Sequence, residues 1–321
     1  MTTPEVTAVI TSFNQRQFIE EAVESVIRQQ GTALETIVVD DGSDDGTADV
    51  AASFAPRVRV IRTAHRGVAA ARNIGWESGT ADLIAFLDGD DFWLPGKLAL
   101  QVRVLHQQPE AGLVYADTLR MRADGTPIDR WSTHMHPVEG DALFPMLLQN
   151  RVHTSTVVMR RAALQELGGF DETLSVWEDI DLWSRTAARF RFAYVPEVLS
   201  RYRMHGNGIS QDATKMARAR LTSAERLLGE LPLVRFSARD RQEVMAAVYG
   251  QVALAHYLNS DMPMARHWLI RSWQTDQRSL LRPRSLTTFA KSLAGPFVIG
   301  WLRATVRPLR TRNRTRAARP A

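Results

Sequence analysis

Asp-Leu-Ile-Ala-Phe-Leu-Asp-Gly-Asp-Asp-Phe-Trp, residues 82–93, is the stretch whose reading decides the fold. Five apolar residues, Leu83 to Leu87, are too few for an independent helix and suit a strand buried on both faces. The run stops at three carboxylates, Asp88, Asp90 and Asp91, and Gly89 lets the backbone turn tightly enough for them to converge. In an open parallel sheet, ligands bind at the carboxyl ends of the strands, where these acids stand. Three anions so close repel one another unless a cation joins them. Hard divalent ions such as Mg2+ or Mn2+ take oxygen ligands and keep places for phosphates, so a metal bridging the protein to a diphosphate suits this turn. A solvated acidic turn that ends a strand is the competing interpretation, because Asp and Gly are common turn residues.

Upstream of this stretch, strand and helix alternate. Val6 to Thr11 reads as a buried strand, and the apolar residues Phe18, Ile19, Ala22, Val23, Val26 and Ile27 then follow at helical spacing, with Asn14 as the expected N-cap and Gly31 as the stop. Thr36 to Val39 is a second strand, ending in Asp40-Asp41-Gly42-Ser43-Asp44-Asp45-Gly46-Thr47 before a helix from Thr47 to Phe54. Residues 57–62 form a third strand, and a helix from Gly67 to Glu77 leads into the central one. This alternation predicts a doubly wound, mainly parallel sheet whose right-handed crossovers bring Thr11, Asp41 and Asp88 to one rim.

Downstream the regularity breaks. Pro95 and Lys97 open a helix to Gln107, residues 112–122 are strand-like, and Asp124-Gly125 marks a hairpin turn. A loop over 129–140 carries Trp131, His134 and His136; Thr154 to Met159 and Phe192 to Arg203 read as strands. Trp177-Glu178-Asp179-Ile180-Asp181-Leu182-Trp183 starts a helix whose first turn is acidic, as its dipole prefers. From Asp212 onward the pattern is helical. The expected division is 1–211 as an α/β domain, with 1–110 as its nucleotide-binding half and 111–211 as its acceptor half, and 212–321 as a helical extension.

Composition narrows the function. The 321 residues hold no cysteine, which excludes a disulfide framework, a thiolate metal site and a Cys nucleophile. The net charge of +5 is uneven: residues 277–321 contain ten Arg, Lys291 and no acid, so removing these eleven leaves the first 276 residues at net −6. Such a body argues against a nucleic-acid binder. The apolar segment 289–306 is interrupted by Lys291, Gly295, Pro296, Gly300 and Arg303, and with its basic trailer suits an interfacial helix on an anionic membrane better than a span. No secretory leader pattern opens the chain, so a cytoplasmic location, peripheral at the inner membrane face, is expected.

Four segments, Val-Ile-Thr-Ser-Phe-Asn (9–14), Val-Val-Asp-Asp-Gly-Ser-Asp-Asp-Gly-Thr (38–47), Ala-Ala-Arg-Asn (70–73) and Phe-Leu-Asp-Gly-Asp-Asp (86–91), together resemble family 2 glycosyltransferases. Leu-Gly-Gly-Phe-Asp-Glu (167–172), the 177–183 segment and Tyr-Arg-Met-His (202–205) look like the acceptor-side signature of the same family, and the likeness covers about residues 5–210. The resemblance implies a GT-A fold, a nucleotide-diphosphate sugar donor with a UDP-sugar favoured, a divalent Mn2+ or Mg2+ ion, a glycan or lipid-linked acceptor, and transfer with inversion. By the same resemblance, Asp88, Asp90, Asp91 and His205 hold the metal, Thr11, Phe13, Asp41, Arg72 and Asp88 bind the donor nucleotide, and Asp179 is the general base. Each has a plainer alternative: Phe13 as a core aromatic, Arg72 as a solvated helix residue, Asp179 as one of three acids favouring a helix start, His205 as structural. The chain departs from the family's common Asn-Gly-Gly-like run at Ala64-His65-Arg66-Gly67, and His134, His136 and His153 lack the spacing of a zinc site on one helix. Gly-x-Gly-x-x-Gly is absent after the first strand, which disfavours a Rossmann dehydrogenase. A catalytically silent nucleotide-sugar or membrane-binding module is the remaining alternative.

Overall fold

A computed structural model describes residues 3–205, 212–231 and 236–281. The apolar segment 289–306 and nearly all of the basic tail lie outside the described residues. The chain divides into two compact units, Met1–Gln211 and Asp212–Ala321.

In the first unit, strands β1 (Val6–Ser12), β2 (Leu34–Asp40), β3 (Arg59–Arg62) and β4 (Leu83–Asp88) are linked by helices α1 (Arg16–Ile27), α2 (Thr47–Ala52) and α3 (Val68–Ser78). They pair in parallel in the order β3-β2-β1-β4. Every residue of β1 is buried, as expected of a strand covered on both faces. The register puts Thr11 opposite both Val39 and Asp88, so the ends of β1, β2 and β4 share one rim.

The sheet then turns mixed. After β5 (Phe92–Trp93) and α4 (Lys97–Gln107), the long β6 (Ala111–Arg122) folds back through the Asp124-Gly125 turn onto β7 (Pro127–Arg130). A short helix α5 (Leu143–Leu148) precedes β8 (Val158–Arg160), which runs antiparallel between β4 and β6. Helices α6 (Arg161–Leu167) and α7 (Glu178–Arg189) lead to β9 (Arg191–Met204), parallel to β6 and antiparallel to β5. The main core cluster runs under both halves, from Val6 and Ile10 through Leu87, Trp93 and Leu98 to Val114, Val158 and Leu199.

Two local expectations change. Asn14 does not cap α1; it takes a left-handed conformation (φ 52°), and its side-chain oxygen accepts the Asp44 N–H at 3.0 Å. Gln15 is the N-cap, without a side-chain cap bond. Residues 154–156, expected as strand, form a 3-10 turn, because their hydroxyls point at carboxylates and carbonyls.

The second unit has helices α8 (Ala213–Glu230), α9 (Ala238–Leu258) and α10 (Met262–Thr275). Asp212, Ser237 and Asp261 cap their first turns through side-chain oxygens, Ser237 in a capping box with Asp240. Among the described residues, no helix is long and apolar enough to cross a membrane.

Candidate active site

The rim at the ends of β1, β2 and β4 is assembled by close backbone approach. The Gly89 N–H donates to the Thr11 carbonyl at 2.9 Å, and a β-carbon on Gly89 would stand 3.0 Å from that oxygen and 2.5 Å from Gln15 Oε1. Gly89 is thus required by crowding against β1 rather than by a left-handed turn. Thr11 is buried and contributes this backbone contact.

Asp41 is buried at the end of β2. Its carboxylate accepts from the Arg66 and Gly67 N–H groups at 2.9 and 2.8 Å and from Thr63 Oγ1 at 3.1 Å. His65 Nδ1 lies 2.9 Å from Asp41 Oδ2, and its ring stacks on Phe13 with centroids 4.1 Å apart. Phe13 is 43% exposed, which removes the core-aromatic alternative. The chain's departure at residues 64–67 therefore meets two of the groups, Asp41 and Phe13, that the resemblance assigns to the donor nucleotide.

Arg72 is buried, contrary to the solvated alternative, and its guanidinium bridges two segments. Nη2 donates to Asp88 Oδ1 at 2.8 Å and Nη1 to Glu178 Oε1 at 2.6 Å. Despite burial, Asp88, Glu178 and Asp179 hold Arg72 firmly charged. Its neighbour Asn73 clamps the next segment, donating to the Phe170 carbonyl at 2.9 Å and accepting the Phe170 N–H at 2.9 Å. The Ala-Ala-Arg-Asn and Gly-Gly-Phe-Asp-Glu segments are two sides of one joint.

The three acids at the start of α7 part company. Glu178 pairs with Arg72, and burial pushes its carboxyl up to about 7 against that pairing. Asp181 pairs with Arg185 at 2.8 Å. Asp179 stays half-buried; Thr154 Oγ1 donates to its Oδ2 at 2.8 Å and the Ile180 N–H to its Oδ1 at 2.7 Å. Among the described residues it has no cation in salt-bridge range, unlike Glu178 and Asp181.

The acids after β4 also divide. Asp91 is 2% exposed and is committed to the protein: Ser155 Oγ donates to Oδ2 at 2.6 Å and the Arg203 N–H to Oδ1 at 3.0 Å. Burial, then repulsion from Asp90 and Asp88, pushes its carboxyl well above the ordinary range. A carboxyl so placed fixes the loop, with a hydrogen bond on each of its oxygens. Asp90 keeps 16% side-chain exposure and lies 2.7 Å from His205 Nε2, a contact that raises the histidine's pKa. Arg203 closes the ring by donating from Nε to the Asp90 carbonyl at 3.1 Å and from Nη2 to Glu21.

Among the described residues, no three acidic or histidine side chains gather as a ready-made metal cluster. The donor chemistry nonetheless fits Mn2+ or Mg2+: Asp90 and His205 touch and remain part exposed, and Asp88 spends one oxygen on Arg72 and is 28% exposed. Ser155, Thr154 and Arg203, which contact these acids, were not singled out in the sequence as site residues. Their contacts span long separations that no local pattern encodes; for Arg203 and Ser155, only proximity to the Tyr-Arg-Met-His and strand segments hinted at a role.

Residues 7–168 match the family model described as glycosyl transferase family 2. The chain belongs to this family. An uncharacterised glycosyltransferase of Nostoc is 30% identical to this family 2 chain over 211 residues, covering 63% of the chain and 65% of the relative. A Bacillus subtilis protein provisionally named as the teichuronic acid biosynthesis glycosyltransferase TuaG is 29% identical, over 67% of the chain and 85% of that protein. The chain spans less than two thirds of the length of some curated relatives it matches, 65% for the Nostoc protein and 64% for one from Rickettsia prowazekii. Among solved structures, Staphylococcus aureus TarS 1-349 in complex with UDP-GlcNAc superposes with a TM-score of 0.66 at 14% identity, covering 90% of each chain. The mannosyltransferase PcManGT from Pyrobaculum calidifontis, in complex with GDP-Man and Mn2+, gives 0.62 at 20% identity over 91% of this chain and 85% of that one. These likenesses show the fold, which is GT-A, with a helical C-terminal part.

Proposed function

We propose that this family 2 chain transfers a sugar from a nucleoside-diphosphate donor to a hydroxyl of a glycan or lipid-linked acceptor, with inversion, in the synthesis of a cell-surface polysaccharide. The observation that carries this reading is the Arg72 bridge. It ties the carboxylate ending β4 to the start of α7, where Asp179 is the one acid of the first turn without a cationic partner among the described residues. The surface-polysaccharide assignment draws on the teichuronic acid name of the Bacillus relative.

The residues divide the work. Asp41 with Phe13 receives the nucleobase, which requires His65 to leave its stacked position. Thr11 holds the rim closed beside Asp88, the ribose-side carboxylate, which Arg72 orients. Asp88, Asp90 and His205 would hold a divalent cation, which when bound neutralises charge growing on the leaving diphosphate. Asp91 fixes the loop that presents Asp90. As the acceptor oxygen bonds to the anomeric carbon, the bond from that carbon to the diphosphate oxygen breaks. The hydroxyl proton passes to the Asp179 carboxylate, and the electron pair leaves with the nucleoside diphosphate.

The basic tail supports a second element of the reading, attachment to an anionic membrane face: residues 282–321 carry nine arginines, Lys291 and no acid, whereas Arg278 pairs with Asp276. The central test is donor hydrolysis by the full chain with UDP-, GDP- and dTDP-sugars, with and without Mn2+. Mn2+-stimulated release of one nucleoside diphosphate is expected. Donor binding without turnover under all conditions would instead support the silent binding module.

A further inference from the structure

Trp131 stands on the 3-10 turn Trp131–Thr133 after β7, and Asp117 on β6 fixes that turn by accepting from the Ser132 N–H at 3.0 Å and from Ser132 Oγ at 2.6 Å. Its ring meets two others. The Trp131 and His153 centroids are 5.5 Å apart, those of His153 and Tyr202 4.4 Å, and those of Trp131 and Tyr202 6.2 Å. Trp131 and Tyr202 are half-buried, so part of each ring remains accessible.

Two polar atoms in this cluster have no hydrogen-bond partner although they are buried: Trp131 Nε1 and His153 Nδ1. An indole N–H can only donate, and leaving it buried and unpaired is costly, so two such atoms in one aromatic cluster call for an explanation. The cluster also adjoins the candidate chemistry. His153 Nε2 is 3.8 Å from Asp91 Oδ2, and the next residue, Thr154, donates to Asp179.

We infer that Trp131, His153 and Tyr202 form the subsite for the accepting sugar, a pyranose whose H1, H3 and H5 face is bare of axial hydroxyls, as in β-gluco rings. Such a ring carries axial C–H bonds on a flat apolar face, which suits an indole or phenol surface, and equatorial hydroxyls at its edge, which can accept from the indole N–H and pair with the imidazole Nδ1 in either tautomer. An aromatic floor contributes contact area with little side-chain entropy to lose. The inference rests on Asp179 as the base, because the floor would hold the hydroxyl within that carboxylate's reach.

The test uses methyl β-D-glucopyranoside, methyl N-acetyl-β-D-glucosaminide and methyl β-D-allopyranoside, whose axial 3-hydroxyl interrupts the H1, H3 and H5 face, with the full chain in saturation-transfer NMR. The expected result is transfer to ring protons H1, H3 and H5 of the two gluco probes, weaker for the alloside. Trp131→Ala should weaken gluco binding by about tenfold. Trp131→Leu, which keeps apolar bulk, should lose as much, and Trp131→Phe, which keeps a ring, should lose less. Thermal shift with UDP- and GDP-sugars, run in parallel, should be unchanged in all three. Wild-type affinity for the glycosides in Trp131→Leu, or no transfer to any probe from wild type, overturns the subsite. Absence of donor binding in the wild type sinks the transferase reading itself.

Discussion

Asp179 and Asp91 are both carboxylates, yet Asp179 stays half-buried while Asp91 is buried against Ser155 and Arg203. Asp179→Asn should retain donor affinity and lower turnover by about 10^2 to 10^4, the usual contribution of a positioned general base, measured at saturating donor and acceptor. Unchanged turnover would remove it from that role. Lys97 makes a different test. It is fully buried over the Trp93 ring, 4.2 Å from the centroid, and its Nζ has no hydrogen-bond partner. Burial pushes its pKa well below 10.5. Between the depressed folded pKa and the ordinary lysine range the unfolded chain binds more protons than the folded one, so stability rises with pH across that interval. Lys97→Met should be more stable near neutral pH by about 1 to 3 kcal/mol, with the advantage shrinking toward pH 10.5, as denaturant unfolding across pH would show. The places of Asp88 at a strand end and of Asp179 at a helix start were legible, because those signals are local. The burial of Asp91 rather than Asp90 was not, because Ser155 and Arg203 hold it from 64 and 112 residues away.

Among the elements, the three βα repeats leading into β4 were readable because each rests on its own apolar run and turn residues. The mixed half was less so: β8 has three residues and wedges antiparallel between β4 and β6, a placement set by tertiary pairing rather than by its own pattern. Helix α3 shows how tightly the readable half packs. A β-carbon on Gly75 would stand 2.2 Å from Val9 Cγ1 on β1 and 3.3 Å from Val39 Cγ2 on β2. Gly75→Ala gains about 1 kcal/mol of helix propensity but overpacks this contact, for a net loss of about 1 to 2 kcal/mol. Thermal unfolding should begin several degrees lower. A rise in melting temperature would mean that α3 can lift from the sheet at little cost.

For the whole molecule, the uneven charge yields a clear expectation. Each basic residue near an anionic surface contributes about 1 kcal/mol at most, and this is screened within about 8 Å at physiological salt. Full-length protein should co-sediment with anionic vesicles at low salt and release as salt rises, whereas a chain ending at Thr288 should not bind and should still hydrolyse soluble donor. Failure of the full chain to bind even at low salt would dispose of the membrane assignment. The Arg203 contacts carry a consequence for the order of assembly. One residue joins Asp91, 112 positions earlier, to Glu21, 182 positions earlier, while Arg72 waits for Glu178, 106 positions later. Long-range closure of this kind comes late, because chain entropy is lost before the contacts reward it. During refolding, helical signal from the early βα repeats should return first and competence to bind nucleotide sugar last. A nascent chain released before residue 203 would carry every acid after β4 and still lack the arginine that closes their loop.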